Sequence, residues 1–181
     1  MPKALMLISN GFEEIEAVTI VDVLRRADVG VVVAGLEGES VVGAHEIRMG
    51  VDTTIDQVKV EDFDALILPG GTVNANQLRD DDRVQVIIRE AARQERLVAA
   101  ICAAPIALER AEVLVGKRAT SYPGNELPSA EYSNDRVVED GLVITSRGPG
   151  TALEFSLALV RRMAGHVRAT ELRQRMLVKA G

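Results

Sequence analysis

Leu97-Val98-Ala99-Ala100-Ile101-Cys102-Ala103-Ala104-Pro105 is the stretch from which the fold is read. Five apolar residues in a row, with no polar alternation, describe a strand covered on both faces. Pro105 suits the first turn of a helix, where its missing N–H costs no hydrogen bond. A strand that runs straight into a helix through Cys102 has the form of a nucleophile elbow. Such a turn needs small residues two before and two after the nucleophile, here Ala100 and Ala104.

The same grammar extends outward. Ala4 to Ser9 (ALMLIS), Val29 to Ala34 (VGVVVA) and Ala65 to Leu68 (ALIL) read as further buried strands, the last stopped by Pro69-Gly70-Gly71. Helices are expected over Glu13 to Arg26, Asp82 to Arg96 and Pro105 to Val113. The first has acids in its opening turn and arginines in its last, as the helix dipole favours. Strands alternating with helices mean a mostly parallel sheet between helical layers, an α/β sandwich. Arg136 to Glu139 and Leu142 to Ser146 flank Asp140-Gly141, a hairpin signal. Thr151 to Gly165 and Val167 to Val178 read as closing helices. Val41 to Asp52 holds short alternating pieces, read as a small hairpin at the sheet edge.

The chain has 181 residues, 47% hydrophobic and 27% charged. That is ordinary globular composition, and the length suits one domain over residues 1–181. The formal net charge is −6, and aromatics are only 3%. Both disfavour nucleic acid as a partner, since phosphates need a basic surface and single strands need stacking rings. A lone cysteine rules out an intramolecular disulfide. No apolar run is long enough to span a membrane. No glycine-rich nucleotide fingerprint follows the first strand, so no cofactor is expected. Two histidines and one cysteine are too few for a histidine-based metal site, so no metal is expected either. A cytoplasmic location is the expectation.

Ligands in open α/β sheets bind at the carboxyl ends of strands. Two features fall there: Pro69-Gly70-Gly71-Thr72 and the Cys102 elbow. At a helix N-terminus a cysteine is expected to have its thiolate favoured and its pKa lowered. It is equally read as an inert, small, buried hydrophobe. The Gly70-Gly71 pair is either a turn that requires positive φ or a backbone donor brought close to a ligand. Glu16 shares a helical row with Ile20, Val23 and Ala27, where a carboxyl would be desolvated and its pKa raised. The helix is apolar on several faces, so periodicity does not select Glu16 over Glu13.

Taken together, the chain resembles the ThiJ/PfpI superfamily in its DJ-one (Parkinson disease protein 7)-like and YajL-like branch. The resemblance rests on Gly11-Phe12-Glu13-Glu14-Ile15-Glu16, Val21 to Ala27, Leu68-Pro69-Gly70-Gly71, Ala99 to Pro105, Thr145 to Thr151 and Glu154-Phe155, in order and at similar spacing. It implies a flavodoxin-like α/β sandwich and a homodimer. It implies that Cys102 is the reactive cysteine and Glu16 the buried acid hydrogen-bonded to its sulfur. Gly71 and Ala103 would then offer backbone N–H groups to an oxyanion. The sequence departs from many members at Tyr122, where they carry a histidine. A phenol has an ordinary pKa of about 10 and cannot serve as an imidazole base. His45 falls near a position where relatives often have arginine close to the partner subunit's site, and Arg26 matches another arginine of that region, which implies a place for both at the site periphery or dimer interface. The implied activity is a cofactor-independent glyoxalase or deglycase acting on dicarbonyls such as methylglyoxal. The alternative is a cysteine-based oxidative-stress sensor or chaperone without turnover.

Overall fold

The computed structural model describes residues 1–179. The chain runs β1 (Lys3–Ile8), α1 (Glu14–Arg26), β2 (Gly30–Gly35), β3 (Ser40–Val42), β4 (Arg48–Gly50) and β5 (Thr53–Thr54). It continues through β6 (Ala65–Leu68), α2 (Thr72–Asp80), α3 (Asp82–Arg93), β7 (Leu97–Ile101) and α4 (Pro105–Arg110). It ends with β8 (Arg118–Ala119), β9 (Glu131–Tyr132), β10 (Val137–Asp140), β11 (Val143–Ser146), α5 (Ala152–Ala164) and α6 (His166–Arg175).

Seven strands form the central sheet in the order β10-β11-β7-β6-β1-β2-β5. All neighbours are parallel except β10 with β11. The expected α/β sandwich with a mostly parallel sheet is therefore the fold. β1 shows why its strand has no polar alternation. Ala4, Met6 and Ile8 pack on one face with Ile20 and Leu24 of α1 and Phe155 and Leu159 of α5. Leu5 and Leu7 pack on the other with Leu78, Ile88 and Leu108 of α2, α3 and α4. Each large apolar side chain buried in this way stabilises the fold by roughly 2 kcal/mol.

Helix and strand ends differ from the sequence expectation where the backbone turns left-handed. α3 stops at Arg93 instead of Arg96, because Glu95 takes φ 54 and swings Leu97 into the sheet. α4 stops at Arg110 instead of Val113, with Glu112 at φ 62. The second strand lies one residue later than expected. The hairpin pairs Val137–Asp140 with Val143–Ser146, turning at Gly141 with φ 61. The last two helices begin and end at Ala152–Ala164 and His166–Arg175. The Val41 to Asp52 hairpin exists as β3 paired with β4, but as a separate ribbon: β5 is the sheet's edge strand. α2, β8 and β9 had no sequence signal. Among the described residues no helix is long and apolar enough to cross a membrane.

β1 has β2 on one side and β6 on the other. The direction of sheet growth reverses there, which opens a crevice at the carboxyl ends of these strands. Gly11 to Glu13 follow β1, Pro69 to Gly71 follow β6, and Cys102 follows the adjacent β7.

Candidate active site

Cys102 sits at φ 64, a left-handed conformation that non-glycine residues seldom adopt. Its backbone is held at both ends: Cys102 N donates to Ser146 O at 2.9 Å, and Tyr122 N donates to Cys102 O at 2.7 Å. Strained backbone of this kind persists only when its surroundings enforce it. Small neighbours make room for the turn, with Ala100 and Ala104 fully buried.

Glu16 lies on the buried row that the sequence suggested, with Ile20, Val23 and Ala27 buried beside it. Glu13 is the N-cap of α1: its side chain accepts from Glu16 N at 2.9 Å. Glu16 Oε2 accepts from Gly70 N at 2.7 Å. Oε1 is buried without a partner of hydrogen-bonding geometry, and the Cys102 thiol stands beside this carboxyl. Gly70 is required here by space. A Cβ on it would lie 2.5 Å from both Cys102 Cβ and Glu16 Oε2. Gly71 takes φ 91 and packs directly against the backbone of Gly11 to Glu13.

Burial pushes the Glu16 carboxyl up to about 7, against the Gly70 N–H and the thiol, which favour the carboxylate. The expected lowering of Cys102 is corrected. Burial, then the charge of the adjoining Glu16 carboxyl, push the thiol up to about 12. The backbone N–H groups of Gly71 and Ala103 pull the other way, toward thiolate. α4 begins only at Pro105 and is six residues long, so its dipole is weak at the sulfur. Two anions so close and so buried repel. The pair therefore carries one negative charge at most, and a thiolate forms only when Glu16 holds the proton.

The sequence-derived residues divide by position. Cys102, Glu16, Gly71 and Ala103 converge. Tyr122 touches Cys102 through its backbone, while its half-exposed ring lies against Gly148. His45 stands on the rim: its N–H donates to Glu14 Oε1 at 2.6 Å, and its Nδ1 lies 2.8 Å from Glu14 Oε2. Arg26 is not at this chain's site. It ends α1, ten residues or about 15 Å from Glu16, paired with Asp22 at 2.7 Å. Glu13 and Glu14 are also buried, because the Gly43 to His45 loop closes over them. Glu13, Glu14 and His45 bring ligand-type atoms within 4.8 Å of one another. Glu14 is already paired with His45, and Glu13 accepts from Glu16 N, at the positive end of α1, where a cation is disfavoured. Sequence reasoning missed Asn74 and Ser9, which are buried beneath the Gly70 turn. Neither stood in a readable pattern.

The chain as a whole has relatives of known structure. The chain is 40% identical over 180 residues to protein dj-1beta of Drosophila melanogaster, covering 97% of this chain and 96% of that one. The crystal structure of that fly protein superposes with TM-score 0.94 over 99% of both chains, at 39% identity. A structure of Toxoplasma gondii DJ-1, described as oxidized, superposes with TM-score 0.95 at 33% identity, over 99% of this chain and all of the other. A protein named deglycase from Pyrococcus horikoshii is 36% identical over 151 residues, 81% of this chain and 90% of its own. The model of the DJ-1/PfpI family matches residues 2–162, which include the Gly70 turn, the Cys102 elbow and Glu16, and the chain belongs to that family.

Proposed function

We propose that this protein is a cofactor-independent glyoxalase or deglycase that acts on reactive dicarbonyls, with Cys102 as nucleophile and Glu16 as acid and base. The observation that carries the reading is the buried, unpartnered Glu16 Oε1 beside a cysteine on a strained elbow. In the reaction with methylglyoxal the Cys102 sulfur bonds to the aldehyde carbon while its proton passes to Glu16. The aldehyde oxygen gains negative charge beside the Gly71 and Ala103 N–H groups and then takes that proton, giving a hemithioacetal. Glu16 next removes the hydrogen on the former aldehyde carbon as a proton, and the electron pair forms an enediolate whose former ketone oxygen takes the proton of the neighbouring hydroxyl. The proton returns to the former ketone carbon, leaving a thioester. Water cleaves the thioester to the 2-hydroxy acid and restores the thiol. One dicarbonyl and one water give one 2-hydroxy acid, with no external oxidant or reductant. A deglycase would apply the same steps to early glycation adducts. The deglycase name of the Pyrococcus horikoshii relative supports this class.

A homodimer in the cytoplasm belongs to the same reading. Ile15 and Val18 lie exposed on one face of α1, and Ile47 is exposed beside the Gly43 to His45 loop. That apolar surface suits a second copy, with His45 and Arg26 near the interface. A reducing compartment would keep the thiol available.

The decisive experiment measures lactate formed from methylglyoxal without glutathione, by wild type, Cys102→Ser and Glu16→Gln. Lactate from wild type, lost by at least a hundredfold in both variants, is expected. The wild-type rate should rise as pH passes about 7, where Glu16 becomes a base. No lactate from a folded, reduced wild type would overturn the reading. The second reading, an oxidative-stress sensor or chaperone, would then stand. The Gly71 and Ala103 N–H groups favour it as well, since they suit the oxygens of a sulfinate.

A further inference from the structure

One buried side chain outside the reacting pair is bonded to the turn that serves both of its members. Asn74 lies in the first turn of α2 with no solvent exposure. Its Oδ1 accepts from Ser9 N at 2.7 Å and from Ser9 Oγ at 2.8 Å, at the end of β1. Its Nδ2 donates to Pro69 O at 2.8 Å and to Gly70 O at 3.1 Å. Both amide protons and both lone pairs are thereby used.

We propose that Asn74 is the positioning residue of the site, aiming the N–H groups of Gly70 and Gly71 at Glu16 and Cys102. In a planar trans peptide the C=O and the N–H point in opposite directions. Pro69 O and Gly70 N belong to one peptide unit, and Gly70 O and Gly71 N to the next. Anchoring the two carbonyls on Asn74 fixes the opposite faces of both units. Gly70 N then meets Glu16 Oε2, and Gly71 N faces the sulfur. Glycines resist such a peptide flip poorly by themselves, since both senses of φ are open to them. Glu13 N, at 3.0 Å, helps to hold Gly70 O, whereas Pro69 O is held by the Asn74 amide.

Gln85 supplies the contrast. It is also a buried amide, donating to Leu78 O and Ala107 O at 3.3 Å, and it braces α3 against α2 and α4. Neither carbonyl belongs to a peptide of the site. A merely structural amide is expected to behave as Gln85 does.

The inference rests on Cys102 and Glu16 as the reacting pair, but its test needs no turnover. The alkylation rate of Cys102 by iodoacetamide is followed against pH in wild type, Asn74→Ala, Asn74→Ser and Gln85→Ala. In Asn74→Ala the profile is expected to move up by about one pH unit, about tenfold slower at a fixed pH near 6, where both members of the pair hold their protons. In Asn74→Ser the hydroxyl can back-bond to Gly70 O, four residues earlier, so the rate should recover to within about threefold of wild type. Gln85→Ala should lower the melting temperature and leave the profile in place. An Asn74→Ala profile that overlays wild type overturns the inference, as does an equal shift in Gln85→Ala. If Asn74→Ala does not fold, the ¹H–¹⁵N spectrum of Asn74→Ser decides. The Gly70 amide should move because Pro69 O has lost its anchor, and an unmoved Gly70 amide overturns the inference. A normal alkylation profile in a protein that makes no lactate counts against the proposed activity and leaves Asn74 untouched.

Discussion

Glu14 and Glu16 stand two residues apart at the start of the same helix, and both are buried. Their carboxyls nevertheless move in opposite directions. Burial would raise Glu14 too, but the His45 ring and backbone N–H, with further backbone N–H groups, hold its carboxyl below the ordinary value. Glu16 receives one backbone N–H from Gly70 and faces a thiol, and burial raises it to about 7. Depth of burial and number of donors decide the direction together: a loop covers Glu14 thinly, whereas Glu16 lies fully inside. One glutamate is satisfied and structural. The other is left short of partners and so stays ready to take or give a proton.

The largest test of that contrast is Glu16→Gln. With the folded value near 7 and the ordinary value 4.5, the folded chain keeps a proton that the unfolded chain releases. Wild-type stability should therefore fall by about 3 kcal/mol as pH rises from about 4.5 to about 7. Glu16→Gln should lack that slope and gain on wild type by the same amount. Urea unfolding near pH 5 and near pH 8 measures it, and equal slopes in the two proteins would break the comparison.

Next come the two glycines that make room for the two carboxyls. A Cβ on Gly70 would meet Glu16 and Cys102, and a Cβ on Gly43 would overlap the Glu14 carboxyl. Gly70→Ala and Gly43→Ala should each cost about 2 kcal/mol by overpacking. Only Gly70→Ala should change Cys102 alkylation. A change of the same size in Gly43→Ala would show that the two corners are coupled.

The smallest expected effect is that of His45→Ala. Glu14 raises the pKa of His45, so the stability from this pair is full below the ordinary histidine value and fades as pH rises through the raised one. Because Glu14 is lowered, its share fades only in acid. The melting temperature of His45→Ala should trail wild type more at pH 5.5 than at pH 8.5. The backbone N–H of residue 45 remains in the variant, so Glu14 keeps one donor and the effect stays small. A deficit that grows toward alkaline pH would reverse the assignment.

These comparisons also mark what a sequence can carry. LVAAI and ALIL are read directly, because a strand buried on both faces has no room for polar residues. The Cys102 elbow is legible for a similar reason: the turn is flanked by small, buried alanines. The choice among Glu13, Glu14 and Glu16 is not legible. All three end up buried, and what separates them is a loop some thirty residues away that brings His45 to one of them. The helix that follows Cys102 predicts a lowered pKa, whereas burial and a glutamate on another helix outweigh that helix. Asn74 lay hidden in α2, a helix whose polar sequence gives no buried stripe, and its partners at Ser9 and Pro69 are joined to it only by the fold.

The bond from Cys102 N to Ser146 O has a consequence for the order of events during synthesis. β11, which carries the acceptor, leaves the ribosome well after the elbow. Until it docks beside β7, the left-handed turn lacks one of its two clamps, and the thiol stands in water with an ordinary pKa of about 8.5. The cysteine is thus more open to electrophiles on the nascent chain than in the finished protein, and completing the sheet withdraws it into its guarded state.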